Sequence, residues 1–115
     1  MSFIADLHNH TIASDGEYTT TELVQKAQEL GLRAVGVTDH DTLGGLDEAL
    51  AAGEDAGIMV IPGVEVSLRF RRPYFTGTLH YLLYIPQDVL QTYCLGCLCC
   101  VLILILVFCP LLEFL

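Results

Sequence analysis

The stretch ADLHNHT, residues 5–11, decides the fold, because in it a short apolar run ends in two histidines one residue apart. Alternate side chains of an extended chain point to the same side, so His8 and His10 can converge on one ion. Asp15 follows five residues after His10. Imidazole and carboxylate are ligands that suit divalent zinc, manganese and iron. The pattern therefore predicts a metal site beyond the end of a first strand, residues 3–7.

Helix patterns alternate with strand patterns along the next part of the chain. Thr19 and Glu22 stand at capping-box spacing before apolar residues at helical spacing, and Gly31 stands where the C-cap belongs. A second helix pattern stops at Gly57. The strand patterns are residues 3–7, residues 34–38 and a third apolar stretch, 58–61 and 64–67, interrupted by Pro62-Gly63. The order β-α-β-α-β predicts parallel strands joined by right-handed crossovers.

Candidate ligands follow each of these strands. His40 comes after the second strand, Glu65 lies at the end of the third, and a fourth β-like run, residues 78–85, brings His80 near its start. In parallel α/β sheets, ligands bind beyond the carboxyl ends of the strands. The residues predicted to bind metal are His8, His10, Asp15, His40, Glu65 and His80.

The polar residues around these candidates have more than one interpretation. Asp39 and Asp41 can each hold the far nitrogen of a histidine or cap the following turn. Asp41 can also face the substrate, which makes it the candidate catalytic residue. Asp6 is expected to be structural, and Thr11 and Ser14 are expected to bond the local backbone.

Residues 69–74, RFRRPY, are predicted to form an exposed loop. Its arginines have two interpretations. They can be a solvated surface, which is the favoured interpretation, or they can meet a substrate phosphate, since guanidinium matches phosphate oxygens.

Composition limits the function classes. A chain of 115 residues forms one small domain, and its net charge of −9 argues against stable binding to duplex nucleic acid. Bound divalent cations would offset part of that charge, so an acidic site can still act on phosphate esters. The N-terminus has no basic segment followed by an apolar one, and we therefore expect a cytoplasmic protein.

The composition changes abruptly near Pro86, which predicts a domain at 1–86 and an apolar, Cys-rich tail at 87–115. The favoured interpretation of the tail is a change of coding frame. The alternative is a single C-terminal membrane span through residues 94–112, long enough to cross a core of about 30 Å but without flanking Lys or Arg. A metal or redox site at the cysteines is a third interpretation, although no companion cluster accompanies them.

Four separated motifs occur in order: DLHNHT at 6–11, SDG at 14–16, TDHDT at 38–42 and IPGVEVS at 61–67. They resemble the opening motifs of the PHP (polymerase and histidinol phosphatase) family of metal-dependent phosphoesterases. The resemblance covers residues 3–85. It is strongest to the branch that includes nucleoside 3′,5′-bisphosphate phosphatases and RNase AM-like enzymes.

The resemblance implies an α/β fold, the N-terminal βαβαβ portion of a distorted seven-stranded β/α barrel. It implies that the six candidate ligands hold a multinuclear, usually trinuclear, centre of Mn, Fe, Zn or Mg. The implied reaction is hydrolysis of a phosphate ester on a phosphorylated small molecule, a nucleotide or an oligonucleotide. Family members are longer and take further ligands from later strands. A truncated, inactive form is therefore expected, or alternatively a non-catalytic membrane-anchored or metal-binding module.

Overall fold

A computed structural model describes residues 4–73 and 75–87, which form four strands and two helices. In chain order these are β1 Ala5–Asp6, α1 Thr20–Glu29, β2 Ala34–Val37, α2 Leu46–Ala56, β3 Met59–Arg72 and β4 Phe75–Tyr84. The strands form one curled sheet in the order β1-β2-β3-β4. The pairs β1–β2 and β2–β3 are parallel, which confirms the predicted β-α-β-α-β arrangement.

The first helix begins at the predicted Thr19 cap and ends one residue earlier than predicted, because its C-cap is Leu30 and not Gly31. The Thr19 side chain accepts a hydrogen bond from the Glu22 backbone, and the Glu22 carboxylate accepts one from Thr19 N at 2.8 Å. The backbone bond from Thr19, aided by the Thr19 hydroxyl, holds the pKa of Glu22 below its usual value. The chain leaves the helix through Gly31, whose φ of 76° favours glycine.

The second helix is tied to the first at its start. Gly45 offers no side chain as an N-cap, but Glu48 in the first turn accepts hydrogen bonds from Thr21 N at 3.1 Å and Thr21 Oγ1 at 2.7 Å. An acidic side chain at this position also interacts favourably with the helix dipole. The helix ends at Gly57, with φ 69°, as predicted.

The core lies between the helices and one face of the sheet. Its buried residues form two clusters: Leu23, Val37, Leu46, Ala49, Val64, Val66 and Ile85 in one, and Val24, Ala27, Val35 and Ile58 in the other. Val64 and Val66 face this core, and side chains alternate along a strand, so Glu65 lies on the opposite face of β3.

The predicted interruption at Pro62-Gly63 is wrong, because β3 runs unbroken through both residues. Pro62 pairs with Val37 of β2, and its carbonyl accepts a hydrogen bond from Ile85 N at 2.8 Å. A Cβ at Gly63 would lie 2.6 Å from the Leu83 carbonyl oxygen. Glycine at this position therefore lets β4 approach β3 closely.

The predicted exposed loop at residues 69–74 is also wrong for residues 69–72, which continue β3. β4 begins at Phe75 and pairs with β3 antiparallel, not parallel, and His80 lies in the middle of the strand. Only two residues connect the strands, enough for a hairpin, whereas a parallel crossover needs a dozen or more.

The predicted tail at 87–115, the membrane span at 94–112 and the cysteine interpretation lie outside the described residues, apart from Gln87. Within residues 4–73 and 75–87, neither helix has the length and apolar character needed to cross a bilayer.

Candidate metal centre

The polar segments after the parallel strands lie side by side. Thr38 N donates to Asn9 O at 2.9 Å, which continues the alignment of β1 with β2. His40 forms an isolated parallel bridge with Glu65. This bridge keeps the segment after β2 in register with β3. The segments after β1 and β2 thus bring their side chains to Glu65. The predicted position of Glu65 at the end of the third strand is wrong, because β3 continues to Arg72 and Glu65 lies in its middle.

Glu65 stands at the centre of four histidines. Its Oε2 lies 2.8 Å from His8 Nε2, 2.9 Å from His10 Nε2 and 3.8 Å from His40 Nε2. Its Oε1 lies 3.4 Å from His80 Nδ1. The Glu65 side chain is almost buried, at 9% exposure. One carboxylate therefore contacts histidines that follow β1 and β2 and a histidine of β4.

Asp15 closes the other side of the cluster. Its Oδ1 lies 3.1 Å from His10 Nδ1 and its Oδ2 lies 3.5 Å from His40 Nε2. The Asp15 side chain is two-thirds exposed, at 67%. The structure thus brings all six sequence-predicted ligands together.

The six residues fit divalent ions. They form three overlapping groups whose ligand atoms lie within 4.8 Å of one another: His8, His10 and Glu65; His10, Asp15 and His40; His40, Glu65 and His80. Ligands on one tetrahedral ion, with bonds of about 2.1 Å, lie about 3.4 Å apart. The distances between ring nitrogens and carboxylate oxygens in the cluster run from 2.8 Å to 3.8 Å, on both sides of that value.

An orphaned atom supports the same conclusion. His10 Nδ1 is buried and has no hydrogen-bond partner among the described residues, although Asp15 Oδ1 is only 3.1 Å away. A buried polar atom without a partner is costly, and a cation between His10 and Asp15 would satisfy it.

The electrostatics keep Glu65 in the form that a metal ligand needs. Burial alone would raise the pKa of the Glu65 carboxyl. The hydrogen bond with His8 and the charges of His40, His8 and His10 outweigh burial, so the pKa lies below its usual value. Glu65 is therefore an anion at neutral pH.

Asp39 has a role that neither sequence interpretation gave it. It is 2% exposed, and its Oδ1 accepts from Thr11 N and Ser14 Oγ, each at 2.6 Å. Its Oδ2 accepts from Thr11 Oγ1 at 2.8 Å. Asp39 thus fastens the loop that carries Asp15. The expected local bond is present, because Ala13 N donates to Thr11 Oγ1. Thr11 and Ser14 together make three further hydrogen bonds to Asp39.

Asp41 and Asp6 lie at the rim of the cluster. Asp41 has a positive φ of 52°, and its Oδ1 accepts from Ser67 N at 2.8 Å. Its substrate-facing role stays a prediction. Asp6 Oδ1 accepts a long bond of 3.4 Å from His8 N, as suits a structural residue.

Sequence reasoning missed three supporting side chains. Asn9, between the two histidines, donates to Gly36 O at 3.2 Å and joins β1 to β2. Ser67 Oγ lies 3.4 Å from His80 Nδ1, and the Tyr84 hydroxyl donates to Leu7 O at 2.9 Å. Only Asn9 had a local signal in the sequence, its position between two predicted ligands. The contacts of Ser67 and Tyr84 depend on strand pairing, which no local pattern indicates.

Gly16→Ala is expected to weaken Zn²⁺ or Mn²⁺ binding by about tenfold or more, comparable to the loss of a residue that orients a ligand. A Cβ at Gly16 would overlap the His10 carbonyl and lie 2.7 Å from Thr11 N, so the loop that holds Asp15 must move. Isothermal titration with each ion measures the change. Gly44→Ala is the control, since its Cβ would meet only Thr42 Oγ1, at 3.3 Å. Equal affinity in both variants would contradict the prediction.

The family model and the curated relatives that match this chain agree on one family. A family model described as the PHP domain matches residues 6–99, more than half of the chain. A 5′-3′ exoribonuclease of Haemophilus influenzae is 48% identical over 62 residues, which cover 54% of this chain and 23% of the relative. A 3′,5′-nucleoside bisphosphate phosphatase of Chromobacterium violaceum is 45% identical over 67 residues, which cover 58% and 24%. The chain thus spans about a quarter of the length of these curated relatives.

A solved structure shares the fold. It is a candidate metal-dependent phosphoesterase from Bifidobacterium adolescentis, with a TM-score of 0.63 and 38% identity. The match covers 70% of this chain and 27% of that one. The predicted α/β fold, a portion of a larger barrel, is confirmed, and so is the family resemblance inferred from the motifs.

Proposed function

The chain belongs to the PHP domain family, and from this premise we propose that its metal centre serves the hydrolysis of phosphate esters. The observation that carries the proposal is the meeting of four imidazoles and two carboxylates at ligand spacing, with His10 Nδ1 buried and unpartnered.

The side chains have separate tasks in this proposal. The four histidines hold divalent ions through neutral imidazole nitrogens, and Asp15 and Glu65 supply negative charge. Glu65 Oε2 lies near ring nitrogens of three histidines and Oε1 near that of His80, so its carboxylate would be available as a ligand in two of the three groups. When bound, such ions activate a water and stabilise phosphoryl oxygens. Asp41, held by Ser67 N, stays the candidate for substrate contact.

The proposed substrate is a nucleotide or an oligonucleotide. The support is that the curated relatives include an exoribonuclease and a nucleoside bisphosphate phosphatase. Histidine and carboxylate ligands accept Mn, Fe, Zn and Mg, so the donor set leaves all four as candidates. A trinuclear centre, which the family resemblance implies, is part of the proposal. The described residues form three candidate ligand groups, but a neutral imidazole binds one ion, so His10 and His40 can each serve only one of the two groups that include them.

Metal binding without turnover is the second candidate function. Three tetrahedral ions need about twelve ligand positions. The part of the chain that the structure describes supplies six ligand side chains, and water or further protein ligands must fill the rest. Bound metal without turnover is the outcome expected if the remaining positions do not supply what hydrolysis needs. A membrane-anchored form would depend on residues 94–112, and nothing in the described part supports it.

The test combines metal content with turnover. The chain is loaded with Mn²⁺ or Zn²⁺, its metal content is measured by mass spectrometry, and hydrolysis of bis(p-nitrophenyl) phosphate is followed. We expect bound metal and turnover, both lost in His10→Ala and kept in Glu29→Ala, an exposed control on α1. Metal without turnover would support the second function. A chain that takes up no metal would overturn both.

A further inference from the structure

The β3–β4 hairpin carries a row of side chains that leads away from the metal cluster. Alternate residues of a strand share a face, so Glu65, Ser67, Arg69 and Arg71 lie on one side of β3. In the antiparallel pairing, Ser67 is opposite His80, Arg69 is opposite Thr78, and Arg71 is opposite Thr76. Cross-strand partners share the same face. The row therefore begins at the cluster and continues to the end of the hairpin.

Contacts on both sides of β3 agree with this placement. Ser67 Oγ lies 3.4 Å from His80 Nδ1 on the cluster face. Val64 and Val66 are buried in the core on the opposite face, and Leu68 packs against the same cluster. Arg69 and Arg71 are both exposed.

The charge of this row contrasts with the rest of the chain. Two of the five Lys and Arg residues, Arg69 and Arg71, lie in the row, in a chain of net charge −9. Among the described residues, Arg69 and Arg71 form no ion pair or hydrogen bond. Beyond Glu65, the row has guanidinium and hydroxyl donors and no acidic side chain. Such a surface suits a ligand that offers acceptors only, and phosphate is the ligand that guanidinium fits best.

Distances along the strand define the length of that ligand. At about 3.4 Å per residue, Arg69 lies about 14 Å from Glu65 along β3 and Arg71 about 20 Å. A ligand that has one phosphate at the cluster and also reaches both arginines must carry phosphates along a chain. In a stacked strand, with a rise of about 3.4 Å per nucleotide, these distances correspond to about four and six nucleotides.

We propose that the hairpin is a phosphodiester-binding track, in which Arg69 and Arg71 hold the backbone of a single-stranded oligonucleotide that ends at the metal cluster. At each step the row presents one side chain from β3 and one from β4, a width that suits a single nucleic-acid strand. A duplex would bring a second line of phosphates toward an acidic protein. This inference rests on the proposed function for the position of the reacting phosphate, and it names the substrate as a polymer of several nucleotides.

The test measures binding separately from chemistry. Fluorescence anisotropy in EDTA follows a labelled single strand of about 12 nucleotides, as RNA and as DNA, over a range of salt concentrations. Each lost phosphate contact lowers the slope of log K against log salt by about 0.7 for a single strand. Arg69→Ala/Arg71→Ala is therefore expected to lower the slope by about 1.4. Lys26→Ala, an exposed cation on α1, is expected to leave it unchanged.

The conservative pair Arg69→Lys/Arg71→Lys keeps the charge and is expected to keep the slope, which separates electrostatic contact from misfolding. The inference is overturned if the alanine pair binds with the wild-type slope, if a dinucleotide binds as tightly as the longer strand, or if poly-glutamate competes equally. Metal uptake and ester hydrolysis of the wild-type chain are measured independently. Oligonucleotide binding that depends on the two arginines, in a chain that takes up no metal, would reject the proposed function but would still support the phosphodiester-binding track.

Discussion

Glu65→Gln is expected to lower the affinity of the chain for Zn²⁺ or Mn²⁺ by about 100-fold or more. The Glu65 carboxylate lies within 3.8 Å of ring nitrogens from four histidines, so it belongs to two of the three ligand groups. Glutamine keeps the shape but removes the negative charge and one acceptor oxygen. Loss of a partner that only orients a ligand costs about 10- to 100-fold, and loss of a shared ligand should cost more.

The fold should survive this change, because the backbone of Glu65 makes its own bonds. Glu65 N donates to Asp39 O and Glu65 O accepts from Asp41 N, each at 3.1 Å. Competition against a chromophoric chelator gives the affinity, and thermal melting monitors the fold. Glu29→Gln makes the same chemical change on an exposed part of α1 and should leave affinity unchanged. Similar affinities in the two variants would refute the central role of Glu65.

Asp39→Ala is expected to lower the free energy of unfolding by about 3 to 5 kcal/mol. The change leaves three donors without their acceptor: Thr11 N, Thr11 Oγ1 and Ser14 Oγ. Each buried group left unsatisfied costs about 1 to 3 kcal/mol. Domains are stable by only about 5 to 15 kcal/mol, so this is a large fraction of the total. Urea unfolding followed by circular dichroism measures the loss.

Ser14→Ala gives a graded comparison, since it removes one of the three bonds and should cost about 1 kcal/mol. It keeps the prediction measurable if the Asp39 variant does not fold. Both variants should also weaken metal binding, because the loop they release holds Asp15. An unchanged urea midpoint for Asp39→Ala would show that the loop is fastened by other contacts.

The sequence predicted the features that depend on local pattern. The capping box at Thr19 and the glycine at each helix end follow from short-range hydrogen bonding and backbone conformation. The convergence of His8, His40 and Glu65 followed from strand order alone, because parallel strands place their carboxyl ends at one edge. All six candidate ligands meet, but His80 reaches the cluster through the antiparallel pairing of β4 with β3, which the strand order did not predict.

The features that the sequence did not predict depend on pairing across the chain. Pro62-Gly63 looks like a break locally, but Ile85 N bonds Pro62 O and keeps the strand continuous. The direction of β4 depends on the two-residue connection between β3 and β4. The predicted six-residue loop at 69–74 did not indicate a connection this short. The bond between Asp39 and Thr11 joins residues 28 positions apart, and no local pattern indicates it.

The bond from the Tyr84 hydroxyl to Leu7 O joins residues 77 positions apart, and His8 meets Glu65 across 57. Contacts of such sequence separation form slowly, after the local helices. During synthesis on the ribosome, the first histidines emerge long before the carboxylate and the last histidine that complete their surroundings. We therefore expect ion binding at the proposed centre to follow assembly of the sheet, because the ligands come together only there.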